Sequence, residues 1–160
     1  MSVSDIVNMA QAGWKIIEDG KPSAQISGST CNAVPHVDDW QSLSAPQGTN
    51  RLSWRLQYTN GFDIDVVLVR LELKWEYAAR YHNGGAFISN CWLHVPQCDV
   101  KWGYNVNLDF KVRNPTNAGS DSAPNARLPI SVSGAVTTPF WTDKMEWDFT
   151  VYGDGNWEQG

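Results

Sequence analysis

The period of the apolar residues changes abruptly near the start of this chain, and that change limits the folds open to it. Val3, Ile6, Val7, Ala10, Trp14 and Ile17 recur at the spacing of one helix face, whereas from about Ala24 onward nearly every apolar run alternates with period two. The pattern predicts an amphipathic helix over residues 1–21, an all-β body over 24–152 and a polar, flexible tail over 153–160. Ser2 and Ser4 serve as N-caps of that helix, Asp5 sits where the macrodipole favours an anion, and Gly20 then Pro22 act as stop signals. With 160 residues and 42% hydrophobic content, the chain is long enough to bury one core, so it reads as a single domain over 1–160.

Within the β body, Ala24 to Val34 forms a polar-rich first strand, and a connection through His36, Asp38 and Asp39 leads toward Trp40 and Leu43. Leu52, Trp54, Leu56 and Tyr58 alternate with Arg51, Ser53, Arg55 and Gln57, and Asn60-Gly61 then signals a hairpin. The run from Phe62 to Tyr77 changes parity, which predicts a bulge near Val67 to Val69. Asn83 to Gly85 forms a tip, Ala86 to Val95 a strand, and Pro96-Gln97 a turn that leads into Val100 to Val112. In that last strand Trp102, Tyr104, Val106, Leu108, Phe110 and Val112 share a face. The hairpin sets Val95 opposite Cys98, Cys91 opposite Trp102, His94 opposite Asp99 and Trp92 opposite Lys101. Asn114 to Asn125 reads as a long exposed loop, and Ile130, Val132, then Met145, Trp147, Phe149 and Val151, mark the last two strands. About eight or nine strands, no second helix and no repeat predict an antiparallel β-sandwich rather than a barrel.

The chemistry open to such a chain is narrow. A net charge of −5 and the absence of a Lys/Arg cluster along the sequence oppose a nucleic-acid partner. No stretch approaches the roughly 20 apolar residues that span a bilayer, and no leader pattern opens the chain, so a soluble, leaderless protein is expected. Cys31, Cys91 and Cys98 match no zinc or redox spacing and are expected as buried thiols. No nucleophile elbow, phosphate loop, dinucleotide fingerprint or zincin helix is present, so neither catalytic residues nor a cofactor are expected. His36, His82 and His94 are too scattered for a metal site. The pairs and groups Asp38-Asp39, Asp63/Asp65 and Asp143/Glu146/Asp148 read as solvated carboxylates.

Nine tryptophans in 160 residues are the unusual quantity. Trp54, Trp75, Trp102 and Trp147 fall on apolar parities and are expected in the core. Trp92 points outward, while Trp40, Trp141 and Trp157 lie in turns or at segment ends, as do Tyr81 and His82 beside the Gly84-Gly85 tip. Exposed aromatics of this kind suit sugar rings, the bilayer interface or protein hot spots. The expected contact residues are therefore Trp40, Tyr81, His82, Trp92 and Trp141.

An N-terminal amphipathic helix over Ser2 to Gly20, followed by an aromatic-rich β-sandwich without an enzyme motif, resembles the small sandwich cytolysins of the actinoporin-like group. The resemblance implies a non-enzymatic membrane-binding protein, with pore formation as the stronger form of that expectation, acting as a toxin after secretion or release from its cell. Ile6, Val7, Ala10, Trp14 and Ile17 would then form the inserting face, with self-association on the membrane. A carbohydrate-binding, lectin-like sandwich and a structural or assembly subunit are the alternatives.

Overall fold

Alternation of apolar and polar residues is realised throughout as extended backbone. The computed structural model describes residues 43–160 in full and, ahead of them, the backbone of Ile6–Val7, Ala12–Glu18, Lys21–Pro22 and Thr30–Pro35 with the side chain of Ala33. The strands are β1 (Ile6–Val7), β2 (Ala12–Glu18), β3 (Lys21–Pro22), β4 (Thr30–Pro35), β5 (Gly48–Thr59), β6 (Asp65–Tyr77), β7 (Ala79–Tyr81), β8 (Gly84–Val100), β9 (Asn105–Val112), β10 (Thr116–Asn117), β11 (Ala126–Thr137), β12 (Thr142–Tyr152) and β13 (Trp157–Gln159). They form two antiparallel sheets. One has the order β1-β4-β8-β6-β5 with β7 on β8, and the other β13-β12-β11-β9-β2-β3 with β10 on β11. The mainly β, two-sheet expectation holds.

Buried side chains from both sheets fill the space between them. Val67, Val69, Leu71, Leu73 and Trp75 of β6, Phe87, Ile88, Cys91 and Leu93 of β8, Val106, Leu108, Phe110 and Val112 of β9, and alternate residues of β11 from Ala126 to Val136 make up most of this core. Leu52 and Leu56 of β5 join it, while Arg51, Ser53, Arg55 and Gln57 face out, as their alternation requires. The parity change in β6 falls at Val66, just ahead of the expected position: Tyr58 pairs with Val67 and Thr59 with Asp65, so Val66 is the extra residue of a bulge.

The helix expected over residues 1–21 is not confirmed. Within that range Ile6–Val7 and Ala12–Glu18 are strands, and β2 pairs along β9. A bulge explains the misleading period. Trp14 pairs with Leu108, Lys15 with Asn107 and Ile17 with Val106, so Ile16 is extra, and positions 14 and 17 fall opposite two residues that both face the core. A three-residue spacing thus fits a bulged strand. Gly13 and the β-branched Ile16 and Ile17 also disfavour a helix, and β2 supplies backbone partners to what would otherwise be an open edge of β9.

The expected turn at Pro96-Gln97 is also corrected. β8 runs on to Val100; Arg70 pairs with Gln97 and Glu72 with His94, so Val95 and Pro96 together stand opposite Leu71. Proline sits at a bulge, where its missing N–H costs no ladder bond. The chain turns instead at Lys101 to Tyr104, where Gly103 takes φ 89°. Cys91 consequently pairs with Trp75 and Cys31, Cys98 with Val69, His94 with Glu72, and Trp92 with Lys74 and Thr30. Residues 157–159, expected in a flexible tail, pair with β12.

Candidate functional site

Three connections meet at one end of the sandwich. The β5–β6 turn (60–64) leaves Thr59 paired with Asp65, the β8–β9 connection (101–104) is held by Lys101 N–H donating to Val66 C=O at 2.9 Å, and the β11–β12 turn (138–141) lies beyond the Asn105–Thr137–Thr142 row of the second sheet. Residues 101–104 carry the chain from the first sheet to the second, so both sheets end here.

Turn residues are normally small and polar, yet these loops carry Phe62, Ile64, Trp102, Phe140 and Trp141. Among the described residues six large hydrophobic side chains are exposed, and these are five of them. Phe140 is 93% exposed, Phe62 85% and Trp102 79%. Scattered surface apolar residues are ordinary, whereas a cluster marks an interaction surface.

The backbone that presents them is fixed locally. Asn60 Oδ1 accepts from Phe62 N–H at 2.9 Å and Ile64 N–H at 3.1 Å, while Asn60 N–H donates to Ile64 C=O at 2.9 Å. Thr138 Oγ1 accepts from Phe140 and Trp141 N–H, both at 3.2 Å, and Thr138 N–H donates to Trp141 C=O at 2.8 Å. Tyr104 N–H closes the middle turn on Lys101 C=O at 3.2 Å. Side-chain acceptors of this kind hold a turn with its tip directed outward.

Behind the tips lies a less exposed aromatic layer. The Trp141 ring is 6.0 Å from Tyr58 and 6.2 Å from Tyr104, joining the two sheets. Tyr58 donates its hydroxyl to the Asp143 carboxylate. Burial, then this carboxylate, pushes the Tyr58 hydroxyl up to about 12. Among the described side chains in and beside these three loops, Asp63, Asp65 and Asp143 stand against Lys101 and Lys144, so the loops themselves are not cationic. Their chemistry is apolar tips backed by amphipathic rings.

The residues expected from sequence are not gathered in one place. Trp141 belongs to this end. Tyr81 and His82 sit at the opposite end, their rings 4.2 Å apart, and Trp92 lies on the outer face of the first sheet. Trp40 and the side chains of Ile6, Val7, Ala10, Trp14 and Ile17 lie outside the described residues. Trp102, expected in the core, is exposed because β9 begins only at Asn105, and Trp54 and Trp147 are half-buried at the sheet edges; Trp75 is fully buried as expected. Phe62, Ile64, Trp102 and Phe140 were missed as a group. Their signal was a bulky apolar residue inside a turn: Asn-Gly-Phe, Trp-Gly and Thr-Pro-Phe-Trp.

No protein-family model, curated protein or solved structure matches this chain.

Proposed function

We propose that this chain is a non-catalytic binding module that docks on a lipid bilayer through the loops at 60–64, 101–104 and 138–141. One observation carries the reading: among the described residues, five of the six exposed large apolar side chains converge on one end, on turns braced by their own hydrogen bonds. Phenylalanine and isoleucine tips enter the acyl boundary, while Trp141, Tyr104 and Tyr58, amphipathic rings at a shallower level, suit the headgroup region. Because these loops are not cationic, binding follows apolar burial and depends little on anionic lipid or salt.

This replaces insertion of an N-terminal helix with docking by β loops. No helix among the described residues is long and apolar enough to cross a membrane. Pore formation by self-association on the bilayer is the stronger claim, and dye release from liposomes reads it separately from binding.

Vesicle co-sedimentation tests the docking itself. The wild-type chain is expected to bind phosphatidylcholine vesicles and a Phe62→Ser/Trp102→Ser/Phe140→Ser variant to stay in solution with an unchanged unfolding midpoint. Failure of the wild type to bind zwitterionic, anionic or sterol-containing vesicles would overturn the reading.

A further inference from the structure

A second surface lies along the flank, away from the loop end. The hairpin register of β5 and β6 sets Arg55 directly opposite Arg70 and Arg51 directly opposite Lys74 on the outer face. Between these pairs stands one carboxylate, Glu72, opposite Ser53, 3.9 Å from Arg51 and 3.5 Å from Lys74. Neither Arg55 nor Arg70 has an ion pair among the described residues. Like charges directly opposed across strands destabilise a sheet, and a chain of net charge −5 has gathered four cations there. Glu72 offsets the Arg51–Lys74 pair, whereas the Arg55–Arg70 pair breaks the rule with no ion pair among the described residues, which points to an external partner.

The same β5 arginines form one wall of a groove of about 360 Å³ that opens between the β5 edge and β12–β13. Its other wall is aromatic, with Trp147, Phe149 and the 46% exposed Trp157, and Gln159 adds a polar amide. Trp54 also lines it, 5.8 Å from Trp147 and 4.9 Å from Phe149 between ring centroids, and its buried indole N–H has no acceptor among the described residues. Guanidinium groups hold carboxylate or sulfate groups through paired N–H donors, and indole faces offer the broad apolar platform on which a pyranose ring packs. An anion and a ring in one ligand define an acidic sugar.

We propose that this groove binds an acidic oligosaccharide, one that carries uronate or sulfate groups. A sugar ring packs on Trp157, its anionic group lies on Arg51 or Arg55, and a further anionic group is clamped between Arg55 and Arg70. Arg51 and Arg55 are four residues apart, about 13 Å along the strand, so the ligand spans more than one sugar unit. Arg55 and Arg51 stand five and nine residues from Asn60, about 16 and 30 Å along β5. The groove is therefore set back from the loop end, which favours a glycan chain over a lipid headgroup. The inference is independent of the docking reading.

Titration of the full chain with a heparin-derived octasaccharide, a neutral maltooctaose and inorganic sulfate, followed by calorimetry, tests it. The octasaccharide is expected to bind with an affinity that falls as salt rises, maltooctaose not to bind, and sulfate to compete only weakly. Arg55→Gln and Arg70→Gln should each weaken octasaccharide binding about tenfold, as expected for loss of one charge-assisted contact. The Arg55→Gln/Arg70→Gln double variant should unfold at the same temperature as wild type or higher without ligand, a result that a merely structural role for the pair would not give. Phe62→Ser/Phe140→Ser should bind the octasaccharide normally, so failure of the docking reading would leave this one standing. Absence of octasaccharide binding at millimolar concentration, sulfate binding as tightly as the octasaccharide, tighter binding of a single-stranded homopolymer RNA, or indifference to both arginine substitutions would each overturn the proposal.

Discussion

Phe140→Ala isolates the loop-end chemistry with little effect on the fold. The ring is 93% exposed, and the turn beneath it is closed by Thr138 and by backbone, neither of which the substitution touches. Stability should therefore change by no more than about 0.5 kcal/mol, the usual range for surface positions. Binding should change far more, because nearly the whole side chain is available for burial. Full transfer of a phenylalanine side chain from water contributes about 1.5–3 kcal/mol, which at about 1.4 kcal/mol per decade is a loss of roughly 10- to 150-fold in vesicle affinity. Partition measurements on phosphatidylcholine vesicles, with thermal unfolding in parallel, read both quantities. Unchanged partitioning would refute the insertion of this loop, and a stability loss above about 1 kcal/mol would show that Phe140 packs within the fold.

Gly153→Ala should destabilise by about 1–3 kcal/mol, since a Cβ there would overlap the Ala86 carbonyl oxygen, and chemical denaturation would show it. Tyr58 binds its proton more tightly folded than unfolded, so the stability it contributes is full below about pH 10 and is lost as pH rises toward about 12; Tyr58→Phe should flatten that alkaline fall in the unfolding midpoint relative to wild type. Cys98 should react slowly with iodoacetamide at pH 8, because burial, then Asp99, pushes its thiol up to about 11 and leaves little thiolate; alkylation at the rate of a free peptide cysteine would contradict this.

What could be read from sequence was whatever depended on local alternation. Leu52 to Tyr58 and Val106 to Val112 keep period two over their whole length, and both strands lie where that pattern sets them. Errors arose where one residue interrupts the ladder. The Ile16 bulge converts strand spacing into apparent helical spacing, and the bulge opposite Leu71 absorbs Pro96, which on its own is a turn signal. The loop-end site was hidden for a different reason. Phe62, Trp102 and Phe140 are far apart along the chain, and Trp102 continues the apolar parity of the strand that follows it; only the strand ends bring the three together. The cationic flank follows the same logic, since Arg51 and Arg55 meet Lys74 and Arg70 through the register of β5 and β6 and form no basic run in the sequence.

The orientation of the bound chain tests the docking account most directly. With isoleucine methyl groups labelled, the Ile64 signal at the loop end and those of the buried Ile88 and Ile130 can be followed by nuclear magnetic resonance as bicelles carrying a spin-labelled lipid are added. The account predicts selective broadening of Ile64, with Ile88 and Ile130 little affected. An Ile64 signal that survives unchanged in bicelles, or broadening that is equal at all three positions, would contradict it.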